Sequence, residues 1–196
     1  MKHPLFFVSL LLLLVSCKSN SSLTHLHSDH DANWEGEQSY QVLVTANFLN
    51  PGLRQYYETE MTRALQKEKV GAVASFTVYP NLSTLNTKFI QDMMRSRPNV
   101  ALLFSEANTV NRSQQSSGQK ADSIFSKLRG GDTIDWDNRF SVIIQNSLFV
   151  GGQESAVWWN RTKLVAVESD GREAIKDLVQ IEVKEMKKSG AISRLK

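Results

Sequence analysis

Three imidazoles fall within six residues, at His25, His27 and His30, with Asp29 and Asp31 beside them. Neutral ring nitrogens suit Zn²⁺, Cu²⁺ and Ni²⁺, so binding of a metal ion or small molecule is one chemistry open to this stretch. The other reading is a solvated linker that happens to be rich in histidine. A second cluster, Asp132, Asp135 and Asp137 with Asn138, offers the oxygen ligands that Ca²⁺ takes, but lacks the Asp-x-Asp-x-Asp-Gly order of an EF-hand. Solvated turn carboxylates ahead of a strand are the plainer reading. Arg54 and Glu58, four residues apart on a helix, form either a recognition pair or an ordinary surface ion pair. Trp158 and Trp159 are neighbours on a strand, so their rings must point to opposite faces. One belongs to the core; the other is either covered by a helix or open to anchor a partner. Lys184, Lys187, Lys188, Arg194 and Lys196 crowd the end of the chain. They suit contact with anionic lipid or polymer, or simply complement a helix C-terminus.

The remaining histidine, His3, lies in the apolar leader, so the segment from residue 39 onward contains no imidazole. A Ser–His or other His-assisted hydrolase built within that segment is excluded by count. Neither a Walker sequence nor a dinucleotide glycine pattern is present, and the single cysteine rules out an intramolecular disulfide or a cysteine-rich zinc site. Lys plus Arg exceed Asp plus Glu by only 23 to 20, a balance unlike that of a nucleic-acid binder. With 41% apolar and 22% charged residues the chain can build a core, and its 196 residues suit one domain of ordinary size. No cofactor is implied.

Lys2 precedes a run from Leu5 to Val15 that is apolar except for Ser9. As a helix it would reach only about 16 Å, half a hydrocarbon core, so it is a signal-peptide core and not a membrane span. It ends in Leu14-Val15-Ser16-Cys17, which resembles a bacterial lipobox. That resemblance implies a lipid thioether on Cys17, cleavage before it and acylation of the new amino terminus. Three acyl chains would hold the protein on a membrane essentially permanently. Lys18 follows Cys17, in place of the Asp that retains many lipoproteins in an inner membrane, so the resemblance favours the outer membrane.

Residues Lys18 to Gln38 carry few apolar side chains and are read as a flexible tether. From Tyr40 the pattern changes. Val42, Val44, Ala46 and Phe48 alternate as a strand, and Asn50-Pro51-Gly52 leads into a helix with Leu53, Tyr57, Met61, Ala64 and Leu65 on one face. A strand follows over Val70 to Tyr79. A helix capped by Ser83 or Thr84 then presents Leu85, Phe89, Ile90 and Met93. The next strand is Val100 to Phe104, and these short alternations imply parallel pairing. A polar stretch from Asn108 to Lys120 and a helical turn or two over Ala121 to Leu128 precede a hairpin of strands at Phe140–Val150 and Ala156–Val167. A final helix from Gly171 buries Ile175, Leu178, Val179, Val183 and Met186, and Gly190 stops it. The expected fold is α/β: one domain in the order β-α-β-α-β-(loop or short helix)-β-β-α, with a mixed sheet flanked by helices. Residues 1–16 form the signal peptide, 17–38 the lipidated tether and 39–196 the domain.

The run Asn50, Pro51, Arg54, Tyr57, Glu58, then Gly71, Ala74, Ser75 and Pro80 resembles a group of small bacterial envelope lipoproteins. So do Leu148-Phe149-Val150-Gly151-Gly152 with Val157-Trp158, and the ending from Lys176 to Ile192. The domain also resembles the amino-terminal domain of the translocation protein TolB. The resemblance implies a cell-envelope protein without catalysis that binds another envelope component, carried on the membrane by Cys17. Trp158, Trp159, Arg54 and Glu58 are the candidate contact residues. Ligand or metal binding through His25, His27 and His30, or through Asp132 to Asp137, is the alternative.

Overall fold

Val42, Val44 and Ala46 point to one face of the strand they share and are buried there. In a computed structural model of the chain, which describes residues 22–36, 40–48, 50–79, 92, 94–97, 99–109, 139–151, 153, 155–167 and 171–196, this strand belongs to a six-stranded mixed sheet. The strands are β1 (Ser22–His30), β2 (Gln41–Asn47), β3 (Gly71–Ala74), β4 (Val100–Thr109), β5 (Arg139–Val150) and β6 (Trp158–Val167). Their spatial order is β1-β6-β5-β4-β2-β3. β2 pairs in parallel with β3 and β4, and every other pairing is antiparallel. The expected single α/β domain with a mixed sheet and flanking helices is what the chain forms.

Two long helices, α1 (Pro51–Lys67) and α3 (Gly171–Lys188), lie together on one face. Asn50 caps α1, its Oδ1 accepting from the Leu53 N–H at 3.1 Å, and Pro51 follows where the missing N–H costs nothing. Tyr57, Met61 and Leu65 from α1 and Ile175, Leu178, Val179, Val183 and Met186 from α3 fill the space above the sheet with Val142, Leu148, Trp158 and Leu164. On the opposite face Leu43, Leu102 and Met94 form a smaller cluster. Gly190 turns the chain at φ +78° after α3, and a last turn, α4 (Ala191–Arg194), folds Ile192 back into the core. Among the described residues no helix is long and apolar enough to cross a membrane.

The strand directions fix two ends. β2, β3, β4 and β6 finish at the same end of the sheet, where β1 and β5 start. α1 and α3 also begin there: Arg172, in the first turn of α3, sits over the Tyr56 ring of α1 at 5.5 Å. The opposite end holds the helix C-termini, with Lys187 reaching Glu68 at 3.1 Å.

Two expectations are corrected. The stretch 18–38 is not a tether throughout, because Ser22–His30 forms the edge strand β1, paired antiparallel with β6. Beyond it Trp34 is 3% exposed, with the Arg194 guanidinium over its ring. The chain crosses Arg194 so closely at Gly36 (φ +71°) that a Cβ there would lie 2.4 Å from the Arg194 Cβ. The domain therefore starts at least as early as Ser22. The strand expected over Val70–Tyr79 stops at Ala74, where Ser75–Val78 winds into one helical turn, α2. The Phe76 N–H there goes to a carboxylate on α1 in place of a strand neighbour. The cap at Ser83 or Thr84, the inward residues of the second helix and the short helix over 121–128 fall outside the described residues.

Candidate functional site

Glu58 sits on the inner face of α1, fully buried beside the carboxyl ends of β2 and β3. Its Oε1 accepts from Arg54 Nε at 2.8 Å and from the Ala46 N–H at 3.0 Å. Its Oε2 accepts from the Phe76 N–H at 2.9 Å, and the Ser75 hydroxyl lies within 3.0 Å of both oxygens. Arg54 Nη2 donates in turn to Ser75 Oγ at 2.9 Å. The pair is thus not an ordinary surface ion pair: the Glu58 side chain is 0% exposed and that of Arg54 13%. Four donors satisfy the buried carboxylate, as a charge in a dry interior requires. This clasp joins α1, β2 and α2.

A second polar cluster lies deeper under α3. The Tyr57 hydroxyl is 2.7 Å from Glu182 Oε2, 3.0 Å from Asn146 Oδ1 and accepts from Ser105 Oγ at 2.7 Å. Asn146 Nδ2 donates to Asn160 Oδ1 at 2.8 Å and to Glu182 Oε1. All five residues are buried. Tyr57 has one hydroxyl proton but faces two acceptors, Glu182 Oε2 and Asn146 Oδ1. A proton on Glu182 resolves the conflict: the carboxylic acid donates to Tyr57, and Tyr57 donates to Asn146. Burial acts in the same direction, pushing Glu182 up to about 8, against the downward pull that Tyr57 and Asn146 exert through hydrogen bonding on the ionised form. The Tyr57 phenol is also raised, by burial first and then by Glu182.

The tryptophans part as strand geometry requires. Trp158 is fully buried under the helices, while Trp159 lies half-buried on the other face, opposite Ser147 of β5. The Trp159 ring is 4.9 Å from that of His27, and the Arg161 guanidinium lies over it at 5.6 Å. Gln145 holds Arg161 through a 3.0 Å bond to Nε. Together these four form an aromatic and cationic patch on the face of β1, β6 and β5 turned away from α1 and α3.

β1 scatters the histidines. His25 stands opposite Thr162 on the helix-facing side, with Nε2 3.6 Å from Glu185 Oε2. A bulge between His25 and His27 then puts Leu26 out to solvent and turns His27 to the other face, opposite Arg161. His30 pairs with Trp158 at the far end. The three rings cannot close on one ion, and among the described residues no three His, Cys, Asp or Glu side chains gather as metal ligands. Because these histidines belong to the sheet, counting no longer excludes an imidazole from the domain. Cys17, Asp132, Asp135, Asp137 and Asn138 lie outside the described residues.

No family model matches the chain, and no curated protein matches it. Similar solved structures include the PelC dodecamer from Paraburkholderia phytofirmans, at 10% identity over 81% of this chain and 94% of that one, with a TM-score of 0.42. A point variant of the same protein is 9% identical over 89% and 98% of the two chains, with a TM-score of 0.43. Likeness this distant decides nothing about how this chain works.

Proposed function

We propose that the chain is a lipid-anchored protein of the bacterial cell envelope, with the outer membrane favoured, whose α/β domain binds another envelope component and does not catalyse a reaction. The observation that carries this reading is the placement of the only cysteine at the end of Leu14-Val15-Ser16-Cys17, directly after an apolar signal core. The fate of the buried charges supports the second half. Glu58 and Arg54 are engaged in holding α1 to α2 and β2, and Glu182 is sealed under α3. Both carboxyl groups are buried among the described residues. The groups left accessible form a surface of the kind that recognises partners, with Trp159 flanked by His27 and Arg161.

Labelled palmitate tests the anchor: the wild-type chain takes it up in cells and Cys17→Ala does not. Photo-crosslinking from position 161 in intact cells tests the patch. An adduct with a defined envelope component that disappears in Trp159→Ala supports the proposal. Absence of any adduct from positions 27, 145 and 161, in a properly folded and lipidated protein, overturns the assignment of this face.

A further inference from the structure

Only four residues, Lys18 to Ser21, separate Cys17 from the first residue of the sheet. However they are arranged, they let Ser22 stand no more than about 18 Å from Cys17. The strand that starts at Ser22 runs nine residues, about 30 Å, to the other end of the domain. These two lengths restrict how the domain can sit on the membrane that holds Cys17.

We infer that the lipidated domain is held with one particular end against the lipid headgroups: the end where β2 and β4 finish and α1 and α3 begin. The inference rests on the lipid anchor proposed above. Inverting the domain would place its lysine-bearing end on the lipid and lift Ser22 about 30 Å above it, well beyond the reach of the leash. The groups at the near end suit this position. Pro51, Gly52 and Gln55 of α1 and Arg172 of α3 are exposed there. Two helices of 17 and 18 residues turn their positive dipole ends toward a surface of phosphate headgroups. The charges in those first turns are already balanced or cationic: Arg54 is joined to Glu58, Lys176 to Glu173, and Arg172 lies over Tyr56.

The same geometry reassigns the basic end of the chain. Lys187 and Lys188 close the last turn of α3, and Lys196 follows α4, all at the end remote from Ser22. Their charge complements the helix C-terminus, and Lys187 and Lys188 pair with Glu68 and Glu185. They are held off the anchoring leaflet and do not bind it.

Depth-dependent quenching tests the orientation. The native chain, expressed with its own signal sequence, is reconstituted in vesicles of phosphatidylethanolamine and phosphatidylglycerol that contain a headgroup nitroxide. With Cys17 capped by lipid, an added cysteine is the sole labelling point. Labels at Gln55→Cys and Lys67→Cys occupy the two ends of one helix, about 18 Å apart. The expected result is quenching several-fold stronger at position 55, and the pair Arg172→Cys and Ser193→Cys should repeat the contrast on another element. Equal or reversed quenching at both pairs overturns the inference. Lengthening the leash with twenty Gly and Ser residues after Lys18 should erase the contrast; a contrast that survives shows that the leash does not set the orientation, and also overturns it. The mass of the same preparations reads the lipid on Cys17 directly, so failure of the anchor is distinguished from failure of the orientation.

Discussion

At the residue scale, two buried glutamates, Glu58 and Glu182, organise the polar groups of the interior. Removing Glu58 leaves the Ala46 and Phe76 amides, the Ser75 hydroxyl and the Arg54 guanidinium without their shared acceptor. Glu58→Ala should therefore cost about 3–5 kcal/mol in urea unfolding, the range for breaking a buried pair from one side. Tyr57→Phe keeps the ring packed against Phe48 but deletes the hydroxyl that Ser105, Asn146 and Glu182 share, a loss of about 1–3 kcal/mol by the same measurement. The sequence made the Arg54–Glu58 pairing legible through its four-residue spacing, but not its burial. Burial depends on Ser75 and two backbone amides, none of which belongs to the helix pattern. Glu182 was hidden for a different reason. It falls on the same stripe as Leu178, Val179, Val183 and Met186, and its type argued against the core position that its spacing indicated. Asn146 and Asn160 repeat this on β5 and β6, where alternation points them inward and their polarity disguises it.

At the element scale, the strands and helices with clear apolar periods were readable, and β1 was not. Of its inward positions only Leu23 is apolar; His25 and Ser28 face Glu185 of α3, and the bulge throws Leu26 out of phase. What holds β1 is backbone pairing with β6 followed by Trp34, neither of which leaves an alternating apolar pattern in the sequence. A chain cut to begin at residue 39, the expected domain boundary, would expose the edge of β6 and lose the Trp34 contacts. It should melt well below the chain beginning at Cys17 when both are followed by circular dichroism. Within the longer chain Trp34→Ala alone should cost about 3–5 kcal/mol, as for a buried aromatic cut to alanine. Equal stability of the two chains would mean that β1 is an accessory to the sheet and not part of the domain.

For the whole molecule, the proton on Glu182 links folding to pH. Its pKa is about 8 in the folded chain, against an ordinary value of 4.5, so between these limits the folded state holds a proton that the unfolded state has released. The stability contributed by the neutral acid is fully present below pH 4.5. It declines as pH rises and is lost once pH passes through about 8, with a slope of about 1.4 kcal/mol per pH unit from this one group. The groups around it do not relieve the charge. Tyr57 on α1 has a raised pKa of its own, Ser105, Asn146 and Asn160 on β4, β5 and β6 are neutral, and Glu185 one turn further on is acidic and turns to His25 and Lys188 at the rim. Glu182→Gln reproduces the neutral acid: its amide oxygen can accept from Asn146 and its NH₂ can donate to Tyr57. Urea midpoints measured from pH 5 to pH 9 should fall for the wild-type chain relative to Glu182→Gln and then run parallel to it above pH 8. Parallel curves over the whole range would mean that Glu182 is ionised in the folded chain, and the proton assignment across Tyr57 and Asn146 would have to be reversed.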